Sequence, residues 1–204
     1  LWSPDQVPAY RRVTDMIRSF GSVPAMQSGH SGRKGSCHGA MQGWEPLTRE
    51  NTTSDQPAWS ALAPSPLPDS SAHPLPHAMD HDDIATVLAA FAQNARLSLE
   101  AGFDLLEIHG AHGYLIHQFL SPLTNHRTDG YGGDLKGRMR FALEFAETVR
   151  KAWPADRALW WRASCVDGKG GVWNVDATVV LARELKARGV DLIDCSSCGI
   201  SGDT

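Results

Sequence analysis

The sequence has little of several features that would assign it to a protein class at once. Four of its 204 residues are cysteine, 8% are aromatic, and the formal net charge is −4. So few cysteines exclude a disulfide scaffold and favour a reducing, cytoplasmic location. The slightly acidic balance argues against nucleic acid or an anionic membrane as a partner. The apolar runs are too short to span a bilayer.

The sequence also lacks an initial Met and any signal-peptide pattern. With 42% hydrophobic and 21% charged residues, its composition is that of an ordinary globular protein. We therefore expect a soluble protein that is a fragment of a longer one.

What is present is an alternation of helix and strand patterns. Apolar residues recur at helical spacing over 4–20, 82–101, 135–152 and 175–188. Short apolar runs over 23–27, 105–108, 158–163 and 190–195 are typical of buried strands. Residues 28–80 show no sustained period, which predicts a long irregular loop after the first strand. This order predicts parallel strands joined by right-handed helical crossovers.

Two parallel α/β architectures fit that order. A doubly wound dinucleotide fold needs a glycine-rich turn, but residues 168–171 lack the G-x-G-x-x-G spacing and the acidic residue that should follow it. A (β/α)8 barrel places its functional residues in the loops that follow the strands. Polar residues do follow the strands here, at 28–33, 109–114, 164–167 and 196–199. The prediction is therefore α/β of the (β/α)8 TIM-barrel class, with about four central β/α units present.

The segment that carries most chemistry begins where the strand over 105–108 ends. It brings His109, His112 and Tyr114 close together in the sequence. Two imidazoles could converge on one oxygen and so polarise a carbonyl or hold a phenolate. A tyrosine beside them could deliver a proton to a developing carbanion. A zinc site would need a third ligand, so no metal site is predicted; a structural role for the histidines stays open.

A longer motif continues from these residues. Its members are His109, Gly110, Ala111, His112, Gly113, Tyr114, Leu115, Ile116, His117, Gln118, Phe119, Leu120, Ser121, Pro122, Asn125, Arg127, Asp129, Tyr131, Gly132 and Gly133. Shorter matches lie at Gln27 and in the segments 30–34, 161–164 and 194–197. In this order the motifs resemble those of the old yellow enzyme family of NADH:flavin oxidoreductases, above all its bacterial ene-reductase (xenobiotic reductase) branch.

The resemblance implies an FMN-dependent oxidoreductase on a (β/α)8 barrel. NAD(P)H would reduce the flavin, and hydride would pass from flavin N5 to the β-carbon of an enone, enal or nitroalkene. His109 and His112 would bind the substrate oxygen, and Tyr114 would donate a proton to the α-carbon. Gln27 would bind the pyrimidine edge of the flavin. Arg162 would lie near N1, where reduced flavin gathers negative charge.

The sequence, at 204 residues, is shorter than that family's barrel, which typically needs about 250 residues. The resemblance therefore implies that residues 1–204 are a partial FMN-binding domain, without the opening strands and the C-terminal phosphate-binding part. Open strand edges would favour pairing, including a homo-oligomer. Two alternatives remain. One is a related flavin barrel, such as a dienoyl-CoA reductase or an amine dehydrogenase, and the other is an inactive fragment that holds no flavin.

Other reactive residues are expected to be structural. Cys195 and Cys198 form a single C-x-x-C pair, which supplies too few ligands for zinc or an iron–sulfur cluster. The remaining cysteines, Cys37 and Cys165, are expected to have no role. In the long loop, the histidines are expected to be solvated and the tryptophans to pack; these residues are His73, His77, His81, Trp44 and Trp59.

Overall fold

The computed structural model describes residues 1–53, 57–168 and 171–200. The strands in these ranges are β1 (Ala25–Ser28), β2 (Leu62–Ala63), β3 (His77–Ala78), β4 (Leu105–Gly110), β5 (Ala158–Ser164) and β6 (Leu192–Ser196). Four of them form a parallel sheet in the spatial order β1-β4-β5-β6, and β2 pairs with β3 separately. All pairings between these strands are parallel. The carboxyl ends of the four main strands therefore meet at one edge of the sheet.

Helices connect these strands, and three of them begin at a side-chain cap. They are α1 (Val7–Ser19), α2 (His81–Glu100), α3 (Leu115–Leu120), α4 (Leu135–Ala152) and α5 (Val175–Ala187). The side chains of Asp80, Asp134 and Asn174 accept hydrogen bonds from the first turns of α2, α4 and α5. Such caps satisfy backbone N–H groups that have no partner within the helix, and each contributes about 1 kcal/mol.

One face of the sheet packs against the helices and forms the core. Ile108 of β4 and Trp161 of β5 are completely buried there, as are Phe141 and Phe145 of α4. The ring of Phe145 meets that of Trp161 edge-on, with 6.5 Å between the ring centroids. Burial of a large apolar side chain contributes roughly 1.5–3 kcal/mol, so this layer is a main source of stability.

The opposite face of the sheet carries polar side chains that no described helix covers. Because side chains alternate along a strand, Gln27, Glu107 and Trp160 form one row across β1, β4 and β5. A second row, nearer the carboxyl ends, contains His109, Arg162 and Asp194. In a closed barrel this face would line the interior.

The structure confirms the parallel α/β class and shows four adjacent strands of a barrel-type sheet. The predicted strand over 23–27 begins instead at Ala25, after Pro24, and the strand over 105–108 extends to Gly110. Helix α3 was not predicted. In the glycine-rich stretch 168–171, residues 169 and 170 lie outside the described residues. No helix in the described ranges is both long enough and apolar enough to cross a membrane.

Candidate active site

One cleft at the carboxyl end of the sheet collects the five residues assigned from the sequence. Its volume is about 840 Å³, and Gln27, His109, His112, Tyr114 and Arg162 all line it. The long loop after β1 also lines this cleft, through residues that include Lys34, Cys37, Trp44, Trp59, Asp69 and His73. Residues from three strands and their loops thus face a single space that is large enough for a ring-shaped ligand.

His109, near the end of β4, is buried to 7% exposure. Neither of its ring nitrogens has a hydrogen-bond partner in the described part of the chain. Burial, followed by the nearby His112 and Arg162, lowers its pKa from 6.5 to about 4. The ring is therefore neutral at pH 7, with one N–H donor and one acceptor nitrogen. A buried polar group without a partner costs about 1–3 kcal/mol, so a ligand that satisfies it gains that energy.

His112 is fixed by contacts from three loops. Its backbone N–H donates to Ser164 Oγ at 2.9 Å, and its carbonyl accepts from Lys34 Nζ at 3.1 Å. Its Nε2 lies 2.6 Å from Ser196 Oγ. The backbone has a left-handed φ of 57°, a conformation that persists in a non-glycine residue when its surroundings enforce it. Burial also lowers the pKa of His112, which favours a neutral ring.

Tyr114 stands at the start of α3, beside His109. The centroids of the two rings are 5.2 Å apart. Its hydroxyl has no hydrogen-bond partner among the described residues and is free to face a ligand in the cleft. Lys34 Nζ lies 5.8 Å from the centre of the Tyr114 ring. Burial lowers the pKa of Lys34, but its ammonium donates to the carbonyls of His112 and Gly199.

Gln27 and Arg162 flank His109 from the neighbouring strands. Gln27 Nε2 donates to the carboxylate of Glu107, its partner in the strand register. Arg162 Nε is 3.5 Å from Asp194 Oδ2 but makes no hydrogen bond, although the atom is buried. An amide and an under-satisfied guanidinium on this face fit the polar edge of a flavin ring, which offers nitrogen and oxygen atoms and gains negative charge on reduction.

A buried network centred on His117 of α3 was not anticipated from the sequence. His117 Nε2 is 3.0 Å from Asp167 Oδ1, and both side chains are fully buried. The backbone N–H of Gly113 donates to His117 Nδ1 at 3.0 Å. Ser121 Oγ donates to Asp167 Oδ2 at 2.8 Å. The network joins the segment that carries His112 and Tyr114 to the loop after β5. The sequence signals were the positions of Gly113, His117 and Ser121 within the long motif and of Asp167 in the polar segment 164–167.

Some smaller expectations for the loops were wrong. Trp44 and Trp59 do not pack in the core: they are 63% and 56% exposed at the cleft. His73 is half-buried and has hydrogen-bonding neighbours.

Cys195 and Cys198 are free and exposed. Within the described ranges, no group of three or more His, Cys, Asp or Glu side chains is placed to hold a metal ion.

Comparison with known proteins gives consistent matches along the chain. The profile of the NADH:flavin oxidoreductase / NADH oxidase family matches residues 1–201. An NADPH dehydrogenase of Bacillus velezensis is 36% identical over 197 residues, which cover 97% of this chain and 52% of that protein. This chain thus spans about half the length of the curated relatives it matches.

Solved structures agree with the sequence match. Histamine dehydrogenase from Rhizobium sp. 4-9 superposes with a TM-score of 0.78 and 32% identity, covering 98% of this chain and 27% of that one. The old yellow enzyme homologue from Zymomonas mobilis superposes with a TM-score of 0.77 and 25% identity, covering 95% and 53%. This chain therefore belongs to the NADH:flavin oxidoreductase / NADH oxidase family, and the resemblance to old yellow enzymes is confirmed.

Proposed function

We propose that the chain is part of an FMN-dependent NAD(P)H oxidoreductase that reduces the activated C=C bonds of enones, enals or nitroalkenes. The observation that carries this proposal is His109, a buried neutral imidazole whose two ring nitrogens lack partners and which lines a cleft beside Tyr114. Bound FMN, reduced by NAD(P)H, would supply the hydride. A cytoplasmic location would provide that reductant.

The chain's own residues orient and polarise the substrate. The N–H of His109, supported by His112, donates to the carbonyl or nitro oxygen. Electron density moves onto that oxygen during reduction, and the donors together with the positive charge of Arg162 stabilise it. Tyr114 then donates its hydroxyl proton to the α-carbon. The low pKa of His109 keeps its ring a hydrogen-bond donor that carries no charge of its own.

Gln27 and Arg162 are the residues that would hold the flavin. Gln27 can present its amide to the pyrimidine edge once it exchanges its present contact with Glu107. Arg162 offers positive charge where reduced flavin gathers negative charge. We propose further that the 204 residues form one partial FMN-binding domain, which lacks the strands that bind the phosphate.

The first test is a titration of the 204-residue chain with FMN, followed by absorption and fluorescence. Saturable binding with a perturbed flavin spectrum supports the proposal. No binding would favour the alternative of a fragment that holds no flavin. Where FMN binds, the two half-reactions, flavin reduction by NAD(P)H and flavin reoxidation by cyclohex-2-enone, are measured separately.

The variant Tyr114→Phe separates the two half-reactions, because proton delivery to the α-carbon belongs only to the second. Reoxidation by the enone should slow roughly 10²-fold or more, the usual contribution of a general acid. Flavin reduction should stay close to that of the unmodified chain. Equal slowing of both half-reactions would remove Tyr114 from the role of proton donor.

An amine dehydrogenase is a second candidate, which the similarity to histamine dehydrogenase favours. Arg162 lies beside His109, but Asp194 is 3.5 Å from its Nε and offsets its charge. Charge in this cleft therefore does not by itself separate a cationic amine from a neutral enone. Histamine and cyclohex-2-enone should therefore be assayed side by side with the flavin-loaded chain. Oxidation of histamine without reduction of the enone would favour the second candidate.

A further inference from the structure

A cysteine and a histidine of the long loop lie together on the wall of the cleft. Cys37 Sγ is 3.6 Å from His73 Nε2, and both residues line the cleft. His73 Nδ1 is 2.9 Å from Ser70 Oγ. Ser70 Oγ already accepts a hydrogen bond from the backbone N–H of Ala72. The thiol of Cys37 also lies near two backbone carbonyls, those of Lys34 at 3.4 Å and Gly35 at 3.5 Å. In the tautomer of His73 that can act as a base, Nδ1–H donates to Ser70 Oγ, and Nε2 carries no proton.

The backbone holds Cys37 in this position. Cys37 forms an antiparallel bridge with Pro46, and the N–H of Leu47 donates to the carbonyl of Ser36 at 2.7 Å. Ser36 has a left-handed φ of 59°. Burial, together with the charge of Asp69, raises the pKa of Cys37. The group at neutral pH is therefore a thiol, and a base is needed before it can act as a nucleophile.

The arrangement matches a nucleophile, a base and a group that orients the base. A second residue of the same cleft indicates the ligand. His109 also lines it and is more than nine-tenths buried, with unpartnered ring nitrogens. Under the proposed function it binds the oxygen of an activated alkene. Such an alkene is also an electrophile at its β-carbon.

We propose that Cys37 is a covalent capture site for α,β-unsaturated carbonyl compounds that bind in this cleft, with His73 as the base. The proposal rests on the proposed function in one respect, namely that the cleft binds activated alkenes. The thiol proton moves to His73 Nε2, and sulfur forms a bond to the β-carbon. The π electrons move toward the α-carbon, which receives the proton. The product is a thioether, and no oxidant or reductant is needed.

The test uses the 204-residue chain and cyclohex-2-enone without NAD(P)H. Adduct formation at each cysteine is followed by peptide mass spectrometry. Although Cys37 is less exposed than Cys195, it should react faster. His73→Gln should slow modification of Cys37 by roughly 10²-fold, the usual contribution of a general base, while Cys195 in the same sample keeps its rate. The saturated analogue cyclohexanone should give no adduct.

Modification of Cys37 no faster than that of Cys195 would overturn the capture site, as would an unchanged rate in a folded His73→Gln variant. His109→Ala should slow modification of Cys37 alone, because it removes the group that binds the enone oxygen. An unchanged rate in the His109→Ala variant would show that His109 does not bind the enone that reacts with Cys37.

The FMN titration is run in parallel. Selective modification of Cys37 without FMN binding would support covalent capture and reject the proposed flavin function. FMN-dependent reduction of the enone without modification of Cys37 would support the flavin function and reject covalent capture.

Discussion

At the scale of single residues, His109 makes stability depend on pH. Its pKa is about 4 in the folded chain against an ordinary 6.5, so protonation favours the unfolded state. The full contribution is present above pH 6.5 and is lost as the pH falls toward 4, by up to about 1.4 kcal/mol per pH unit. Urea unfolding at pH 7, 6 and 5 measures this loss. His109→Gln, which does not titrate, should flatten the profile.

An unfolding free energy that falls equally steeply in the His109→Gln variant would assign the pH dependence to other groups. His112 is the next candidate, because burial lowers its pKa as well. His112→Gln is therefore the matched second variant, and its effect should be the smaller because its ring is less buried than that of His109.

The candidate residues differ in how far the sequence could reveal them. His109, His112 and Tyr114 lie in one short segment after a strand pattern, so their joint role could be argued from spacing alone. No motif in the residues around Gln27 or Arg162 indicates a function, and only the resemblance to the family identified these two residues. The fold then places Arg162 beside His109 in the strand register.

At the scale of secondary-structure elements, Gly110 at the end of β4 is required by the core. A Cβ at this position would lie 2.6 Å from Nε1 of Trp161, which is completely buried. Gly110→Ala should therefore lower the free energy of unfolding by about 1–3 kcal/mol, the usual effect of overpacking. Urea denaturation measures the change. The matched control is Gly39→Ala, where the added Cβ would meet only the end of the Gln42 side chain. Equal effects of the two substitutions would contradict the packing argument.

The elements predicted well from the sequence are those with a one-sided apolar pattern. Helices α2 and α4 have capping aspartates and one buried face, and their observed bounds lie within one residue of those predicted. Helix α3 was missed because all its residues, Leu115–Leu120, are buried, so no amphipathic period exists. The two-residue strands β2 and β3 pair across a proline-rich stretch, and only tertiary contacts stabilise them.

At the scale of the whole molecule, loops that follow four strands contact one another at the carboxyl edge of the sheet. Lys34, after β1, donates to carbonyls of His112 after β4 and Gly199 after β6. Ser164, at the end of β5, contacts both His112 and Cys198. These contacts link the carboxyl ends of the four strands and hold His112 at the cleft.

This assembly predicts that the phosphate of FMN contributes little to binding by the 204-residue chain. In (β/α)8 barrels the phosphate is commonly held by loops after the seventh and eighth strands. The main sheet in the described residues has four strands, which the resemblance implies are central strands of the barrel. FMN and riboflavin should therefore bind with similar Kd values in parallel fluorescence titrations. One hydrogen bond to a charged phosphate is worth roughly 1.5–3 kcal/mol, which is tenfold or more in affinity. A tenfold preference for FMN would place a phosphate site within this chain and overturn the proposal that the phosphate-binding part is absent from it.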